Sequence, residues 1–263
     1  MPGGSEGDCH FITPNEAAER GLSGPKGEWP ECPWCGRKLE PRGIMLGGRI
    51  AWVTSEPCGC DGEARAAAEA EARELEAGER ERIGKLARAG VKKRYLNAKV
   101  DTVDTQLYVE RFGSDEGRGL YIHGDVGTGK TYLASALASV FVAAGYTVVL
   151  TTTLAMLADI QGTFDDDSSS VAVLQRFTRA DVLILDDLGK ESGSAWSVST
   201  LFQVVNYRYE TMRPLIVTSQ YDLASLEKRM ARQGERESAR AIASRLGQMC
   251  YDVHLSGGDR RRR

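Results

Sequence analysis

The sequence predicts an α/β protein, in which a parallel β-sheet is flanked by helices and a small cysteine-rich module precedes it. Three observations support this prediction. A glycine-rich loop separates a β-prone run from an alanine-rich helical stretch over residues 120–138, an unbroken apolar run at residues 182–185 ends in two aspartates, and four cysteines cluster within residues 32–60. With 263 residues, the chain is long enough for one α/β domain of about 170 residues and one smaller module.

The glycine-rich loop matches the phosphate-binding pattern G-x-x-x-x-G-K-[ST]. Its glycines allow the backbone to curve around a polyanion, and the following helix adds the partial positive charge of its N-terminus. Lys130 would contact the β- and γ-phosphates, and the Thr131 hydroxyl would bind Mg²⁺. We therefore expect ATP and Mg²⁺ as ligands. The expected nucleotide-binding residues are Gly124, Asp125, Val126, Gly127, Thr128, Gly129, Lys130, Thr131 and Tyr132.

The apolar run from Val182 to Leu185 ends in Asp186 and Asp187 and indicates a strand that is buried on both faces. The carboxyl end of such a strand lies where open α/β sheets bind ligands. We expect Asp186 to hold Mg²⁺ through its water shell and Asp187 to orient or deprotonate the attacking water. Because Asp187 is shorter than the glutamate common at this position, the rate of hydrolysis stays open. A strand followed by an acidic turn is the alternative.

Four of the six cysteines form a C-x-x-C pair and a C-x-C pair. In a cytosolic chain this spacing favours a closed, structural Zn²⁺ site over disulfides. The segment between the pairs indicates a hairpin that turns at residues 47–48 and brings the pairs together. A redox-active pair, free thiols, and additional donation by Cys9 or His10 are the alternatives. The expected zinc ligands are Cys32, Cys35, Cys58 and Cys60.

Composition divides the chain into four segments. We expect a mobile N-terminal tail over residues 1–30, a zinc-binding module over 31–62, a helical linker over 63–93 and an ATPase domain over 94–263. The linker is rich in alanine and carries both signs of charge, which favours a solvent-exposed helix; a coiled coil is the alternative.

Charge and hydropathy exclude some classes of protein. The 34 Lys and Arg residues against 37 Asp and Glu residues give a net charge of -3, so the overall charge does not indicate nucleic-acid binding. The basic segment Arg260 to Arg263 is a local exception. The first 21 residues lack the apolar core of a signal peptide, and no apolar run has transmembrane length. We expect a soluble cytoplasmic protein with no membrane partner.

Strands and helices alternate after the phosphate loop. The pattern predicts strands over residues 146–153, 214–221 and 251–257, helices over 154–164, 171–180, 195–213 and 238–250, and a hydrophilic loop over 165–170. On the helix over 195–213, Leu201, Val204, Val205 and Tyr209 share one face. One strand–helix unit therefore separates the phosphate-loop strand from the Asp-Asp strand, which is typical of P-loop ATPases with an inserted strand.

Several motifs resemble those of one known family. They are VKKRYLNAKVDT, GDVGTGKTYLASALA, VLILDDLG, NYRYETMRPLIVTSQY, AIASRLGQMC and LSGGDRRR, over about residues 90–263. In this combination the chain resembles the DnaC/DnaI-type replicative helicase loaders and the related IstB transposition ATPases of the AAA+ superfamily. The Asp-Asp-Leu-Gly ending and the Ser-Arg-Leu helix are more specific than the phosphate loop alone.

The resemblance implies further site residues. Gln220 stands where the family usually has an asparagine that senses the γ-phosphate, and Thr218 and Ser219 could assist it. Arg245 lies at a position resembling the arginine finger, which reaches a neighbouring subunit's nucleotide. Its alternative role is a solvated helix arginine. Arg240 and Arg208 are the next candidates for the contact between subunits.

The resemblance implies an ATP-dependent helicase loader in DNA replication initiation. Its partners would be a hexameric replicative helicase, single-stranded DNA and further copies of the chain, joined through the ATPase domain. The ATPase would be slow and stimulated by partners or DNA. The alternatives are an IstB-like ATPase that binds duplex DNA, which the cysteine module disfavours, and a zinc-based adaptor that binds nucleotide but hardly hydrolyses it.

Overall fold

The structure is a computed structural model that describes residues 11–100, 102–163, 167–190, 194–232 and 235–259. The chain divides into two compact units, Met1–Glu79 and Arg80–Arg263. None of the helices in the described residues is long and apolar enough to cross a membrane.

The first unit contains a hairpin of two antiparallel strands, β1 (Pro41–Leu46) and β2 (Arg49–Ser55). The two residues between them, Gly47 and Gly48, both adopt positive φ angles, of 56° and 80°. Positive φ at both central residues is typical of the tight turns that match the twist of a hairpin. The predicted hairpin and its turn are therefore confirmed.

The structure differs from the predicted mobile tail over residues 1–30. Ile12 and Gly43 of β1 exchange two backbone hydrogen bonds, of 2.7 and 2.9 Å, and Ile12 is buried. A short helix follows, α1 (Pro14–Glu19), and Thr13 and Glu16 form a capping box at its start. The Gly-, Pro- and Glu-rich composition suggested a mobile tail, whereas two buried apolar side chains, Ile12 and Ala17, and the helix cap order residues 11–20. Cys9 and His10 lie outside the described residues.

Helix α2 (Asp61–Ala89) extends for 29 residues across the predicted linker, and the boundary between the two units falls within it. Its buried residues are Leu86 and Ala89. Gly90 ends the helix with a φ of 98°, and a Cβ there would lie 1.9 Å from the carbonyl oxygen of Leu150. Only glycine fits this position because it needs both a left-handed backbone and close approach to another chain segment.

The second unit is built on a five-stranded sheet in which every pairing is parallel. Its strands are β3 (Gly119–His123), β4 (Val148–Thr152), β5 (Val182–Leu188), β6 (Leu215–Ser219) and β7 (Cys250–His254). The spatial order is β4-β5-β6-β3-β7. Strand β6 therefore lies between the phosphate-loop strand β3 and the Asp-Asp strand β5, as in P-loop ATPases with an inserted strand. The strand of the unit that intervenes along the chain, β4, lies at the edge of the sheet beside β5.

Helices cover both faces of this sheet. Along β5, Leu183 and Leu185 belong to one apolar cluster, whereas Val182 and Ile184 belong to the other. This alternation shows that β5 is buried on both faces, as its continuous apolar run predicts. The helices are α3 (Val103–Arg111), α4 (Lys130–Ala143), α5 (Thr153–Gln161), α6 (Asp167–Arg179), α7 (Ala195–Glu210), α8 (Leu223–Ala231) and α9 (Arg236–Met249), with short 3-10 helices at Lys93–Tyr95 and Phe112–Ser114.

Three helices and one helix boundary differ from the sequence prediction. Helices α1, α3 and α8 were not predicted, and α6 begins at Asp167, inside the expected hydrophilic loop. Asp and Ser residues are favourable around a helix start, so a polar composition does not exclude the first turn of a helix. The strands and the remaining helices lie within a few residues of the predicted ranges.

Arg208 of α7 is fully buried, whereas Tyr209 is 37% exposed, so the inward face of α7 contains Arg208 in place of Tyr209. The Arg208 guanidinium donates five hydrogen bonds of 2.6–3.2 Å to backbone carbonyl groups. Because these bonds hold the side chain inside its own subunit, the candidate role of Arg208 as a contact between subunits is wrong. The five acceptors belong to Phe177, Thr178, Ala180, Asp181 and Pro214.

Candidate nucleotide and metal sites

The phosphate loop joins the end of β3 to the start of α4, as the sequence predicts. Gly124, Gly127 and Gly129 adopt positive φ angles of 145°, 88° and 100°. A Cβ on Gly127 would lie 2.2 Å from the Asp259 carboxylate, and one on Gly124 would lie 2.2 Å from the Leu255 carbonyl oxygen. The loop conformation and its close packing therefore both require glycine.

Lys130 and Thr131 form the first turn of α4. The Lys130 ammonium donates hydrogen bonds of 2.7 Å to the carbonyl oxygens of Gly124 and Asp125. Burial lowers the pKa of Lys130, and the nearby carboxylates, led by that of Asp187, oppose this shift. The ammonium therefore lies within the curve of the loop, in the position that a phosphate-binding lysine needs.

Asp186 is brought next to Thr131, as expected for two groups that share a magnesium ion. The Thr131 hydroxyl lies 3.0 Å from one Asp186 carboxylate oxygen and 3.2 Å from the other. Burial raises the pKa of Asp186, and hydrogen bonds from Thr218 and Thr131 act in the opposite direction. A hydroxyl and a buried carboxylate form the hard oxygen donor set that Mg²⁺ prefers, so the residues present fit this ion.

Thr218 on β6 connects the two aspartates of β5. Its side chain is fully buried, and its hydroxyl donates to Asp186 at 2.5 Å while it accepts from the backbone N–H of Asp187 at 2.9 Å. The β5–β6 register shifts between Leu185 and Leu188, around these two aspartates. Thr218 thus holds the carboxyl end of β5 where the regular ladder is interrupted.

Asp187 has a left-handed backbone with a φ of 61°, which is uncommon for a residue other than glycine. Its carboxylate lines the same cavity as the phosphate loop, and the ammonium of Lys190 lies 2.8 Å from its Oδ1 atom. Residues in such backbone conformations are frequent at functional sites. The conformation directs the proposed water-activating carboxylate to the nucleotide side of the sheet edge.

A cavity of about 610 Å³ lies above the phosphate loop. It is lined by the loop, by Asp187 and by Gln220 at the end of β6. Its volume is typical of pockets for small organic ligands. The structure therefore brings the predicted Lys130, Thr131, Asp187 and Gln220 together in one pocket.

Three residues that line this cavity were missed at the level of sequence: Arg94, Tyr95 and Lys190. Arg94 and Tyr95 lie in the 3-10 helix Lys93–Tyr95, at the start of the predicted ATPase domain. The residues that follow are held by two hydrogen bonds, since Arg82 donates to the Leu96 carbonyl at 3.0 Å and the Lys99 backbone N–H donates to the Tyr132 hydroxyl at 3.1 Å. The adjacent Arg and Tyr could have been noticed in the sequence, because a guanidinium suits a phosphate and an aromatic ring suits a base.

Arg245 is half-buried on α9 and does not belong to the residues that line the cavity of its own chain. Its guanidinium lies over the rings of Phe202 and Tyr209, 4.8 and 5.5 Å from their centres. Ile242 and Leu246 beside it are buried, as predicted, whereas Arg240 is exposed. The two rings support Arg245 at the edge of the helix packing.

The four predicted zinc ligands of the first unit converge. Their sulfur atoms all lie within 4.8 Å of one another, with 3.7 Å between Cys32 and Cys60 and 3.3 Å between Cys35 and Cys58. Four Zn–S bonds of about 2.3 Å in a tetrahedron place the sulfurs about 3.8 Å apart. The donor set and its spacing fit a closed zinc site.

Local hydrogen bonding favours the thiolate form at Cys32. Burial raises the pKa of the Cys32 thiol, but hydrogen bonds from the backbone N–H groups of Cys35 and Trp34 outweigh it and lower the pKa to about 7. The pKa of Cys58, by contrast, is raised to about 12, first by its hydrogen bond with Cys35 and then by burial. The thiolate is the form of cysteine that binds metal.

A family model for IstB-like ATP-binding proteins matches residues 99–263, which include the phosphate loop, both aspartates, Gln220 and Arg245. The chain belongs to this family. The chain is also 35% identical over 105 residues to a Mycobacterium tuberculosis protein that is named for ATP binding and for its place in an insertion sequence. That alignment covers 40% of this chain and 41% of the relative.

Helicase loaders are also similar to this chain. The chain is 25% identical over 174 residues to the replicative helicase loader DnaC of Buchnera aphidicola, an alignment that covers 61% of this chain and 70% of the relative. A crystal structure of DnaI matches with a TM-score of 0.53 and 25% identity, over 64% of this chain and 93% of that one. The chain thus spans about two fifths of the insertion-sequence relative and most of the loader structure.

Proposed function

We propose that the protein is an ATP-dependent loader of a hexameric replicative helicase. One observation carries the ATPase part of this proposal: a single cavity holds the phosphate-loop lysine, the base candidate Asp187 and the γ-phosphate sensor candidate Gln220. The likeness to DnaC and DnaI supports the loader part. The converging cysteines support it further, since a zinc-bearing N-terminal module resembles DnaI-type loaders more than IstB.

Each residue of the cavity has one proposed task. Lys130 binds the β- and γ-phosphates, and Thr131 and Asp186 hold Mg²⁺, which neutralises charge on the phosphates when it is bound. Asp187 orients the attacking water or accepts its proton, and Gln220 donates a hydrogen bond to the γ-phosphate. The burial of Lys130 and Asp186 strengthens their charge interactions relative to bulk water.

Arg245 completes the site of a neighbouring copy. Its position outside the cavity of its own chain and its support by two aromatic rings are what a group acting on another subunit's nucleotide needs. Arg240 is exposed on the same helix and is the second candidate. We propose that self-association through the ATPase domain, and single-stranded DNA bound by that domain, stimulate a slow hydrolysis.

The four cysteines hold one Zn²⁺ that stabilises the first unit and takes no part in hydrolysis. With four thiolates the metal has no open position for a substrate. We propose that the unit carrying this site binds the replicative helicase, as the resemblance to DnaI-type loaders implies.

The nucleotide site is tested with Lys130→Ala. The variant should lose tight ATP binding, because it lacks a charge-assisted contact to the terminal phosphates; fluorescence titration with a labelled ATP analogue measures this. Asp187→Asn should still bind ATP and should suppress hydrolysis. Equal ATP affinity of Lys130→Ala and the parent protein would exclude the proposed phosphate loop.

The loader role is tested by co-purification with the replicative helicase of the source cell. The parent protein should retain the helicase, and Cys35→Ser, which should release zinc, should retain less of it. A second candidate function, an IstB-like transposition ATPase, is favoured by the similarity to the insertion-sequence protein. Stimulation of ATP hydrolysis by duplex DNA without stimulation by single strands, together with no retention of helicase, would favour this second function.

A further inference from the structure

The proposed reaction assigns no task to Lys190, although this residue lies beside the proposed base Asp187 in the nucleotide cavity. Its ammonium is 2.8 Å from the Asp187 carboxylate, and its backbone N–H donates to the Asp187 carbonyl oxygen at 3.3 Å. Both side chains line the cavity of the phosphate loop, and Lys190 is close enough to Lys130 for the two positive charges to affect each other. The base candidate is therefore paired with a cation that belongs to the nucleotide pocket.

The two partners of this ion pair differ in mobility. Asp187 is held from its backbone, because its N–H group donates to the buried Thr218 and its φ is left-handed. The Lys190 side chain is 43% exposed, and a lysine ammonium stands on a flexible stem of four carbons. When another anion competes for the pair, Lys190 is the partner that can move.

A bound triphosphate supplies such an anion. Lys130 already donates to two loop carbonyls, and a second ammonium nearby favours an additional negative charge in the cavity. The γ-phosphate would lie beside Asp187, because Asp187 is proposed to act on the water that attacks this phosphate. Lys190 contacts Asp187 and can therefore reach the γ-phosphate as well. A phosphate group carries more charge than one carboxylate and accepts more hydrogen bonds. A diphosphate ends one group earlier and leaves the ion pair in place.

We propose that Lys190 recognises the terminal phosphate of a nucleoside triphosphate by exchanging its Asp187 partner for that phosphate. This inference rests on the proposed nucleotide-binding function and adds, beside the γ-phosphate sensor candidate Gln220, a second residue that distinguishes triphosphate from diphosphate. Its consequence is that Asp187 becomes free to act on water only when the phosphate to be removed is present.

The test compares affinities for ADP and for a non-hydrolysable ATP analogue, each with Mg²⁺, by calorimetric titration of the full chain. Lys190→Gln should bind the analogue roughly tenfold or more weakly, the usual effect of losing a hydrogen bond to a charged group, and should bind ADP as the parent does. Lys190→Arg should retain most of the preference for the triphosphate. Lys228→Gln, a change of an exposed lysine on α8, is the matched control and should leave both affinities unchanged.

A second variant tests the exchange itself. Asp187→Asn removes the competing carboxylate, so it should tighten binding of the triphosphate analogue several-fold in the parent protein and have no such effect in the Lys190→Gln background. Circular dichroism confirms that each variant is folded. Equal weakening of both nucleotides by Lys190→Gln, no weakening at all, or the same effect of Asp187→Asn in both backgrounds would each overturn the proposal. A parent protein that binds neither nucleotide would refute the proposed function as well.

Discussion

The substitution Thr218→Val tests how the two aspartates of the site are held. Valine has nearly the shape of threonine, so it fills the same buried volume and removes only the hydroxyl group. That hydroxyl donates to the Asp186 carboxylate at 2.5 Å and accepts from the backbone N–H of Asp187 at 2.9 Å. Its loss leaves the buried Asp186 carboxylate without one donor and the partly buried Asp187 N–H without its acceptor.

The expected fall in the free energy of unfolding follows from these two hydrogen bonds. A hydrogen bond to a charged group contributes about 1.5–3 kcal/mol, and a buried donor left without a partner costs about 1–3 kcal/mol. The two terms overlap because both groups can relax, so the free energy of unfolding should fall by about 2–4 kcal/mol. This is a large part of the 5–15 kcal/mol, roughly, that stabilises a typical domain.

The loss of unfolding free energy caused by Thr218→Val should depend on pH. Burial raises the pKa of Asp186, so the folded state binds a proton there more tightly than the unfolded state. The resulting contribution to stability is present below the usual pKa of aspartate and is lost as the pH rises through the raised value. Without the Thr218 donor that pKa rises further. The difference in stability between Thr218→Val and the parent protein should therefore be greatest at neutral pH and shrink as the pH falls through the raised pKa of Asp186.

Urea unfolding at several pH values measures this difference. Thr178→Val is the matched control, because the buried Thr178 hydroxyl donates to the Leu174 carbonyl of its own helix at 3.0 Å and contacts no charged group. We expect a loss of about 1 kcal/mol or less for the control, independent of pH. A loss for Thr218→Val no greater than that of the control, or a deficit that grows on acidification, would show that Thr218 does not support Asp186.

Three further predictions concern the metal site, the subunit contact and the buried arginine. Purified protein should carry about one zinc ion per chain, and Cys35→Ser should release it without unfolding the ATPase unit. Elemental analysis of protein prepared without chelator measures the zinc content. Absence of zinc from the parent protein would refute the predicted metal site. Arg245→Ala should reduce DNA-stimulated ATP hydrolysis by about 10³-fold or more and leave nucleotide affinity unchanged. Mixing this variant with Lys130→Ala protein should restore some of the activity. Normal hydrolysis by Arg245→Ala would show that the arginine finger is another residue. Arg208→Met should lower the free energy of unfolding by about 3–5 kcal/mol, because five carbonyl groups lose their donor. The control Arg176→Ala changes an exposed arginine and should alter this free energy by no more than about 0.5 kcal/mol. Similar values for the two variants in urea unfolding would contradict the structural role of Arg208.

Local patterns in the sequence determined the centre of the site. The phosphate loop could be predicted because a short, contiguous segment must supply glycines, a lysine and a threonine in a set order. Asp186 could be predicted because four apolar residues before it indicate a buried strand, whose carboxyl end is a ligand-binding edge. The cysteine pairs were equally informative, since C-x-x-C and C-x-C can meet once a hairpin joins them.

The roles of other residues depend on neighbours that are distant along the chain. Arg208 has the sequence context of an exposed helix arginine, and it is buried because the last turn of α6 and the residue that precedes β6 present carbonyl groups at the same point. Tyr209, which shares the predicted apolar face, lies at the surface instead. Periodicity indicates which side of a helix faces inward only to within one residue, so it could not decide between these two positions.

The contacts of Thr218 and Lys190 were decided by the tertiary structure alone. Thr218 reaches the aspartates of β5 because β6 is inserted beside that strand, and the interrupted register turns Asp187 toward the cavity. That turn in the backbone also brings the Asp187 carboxylate to Lys190. Motifs specify residues that act together within one segment, whereas the pairing order of parallel strands specifies which segments meet at the sheet edge. The sequence thus determined that this protein has a phosphate loop, an acidic strand and a cysteine cluster, and the order of its strands decided which side chains share the nucleotide site.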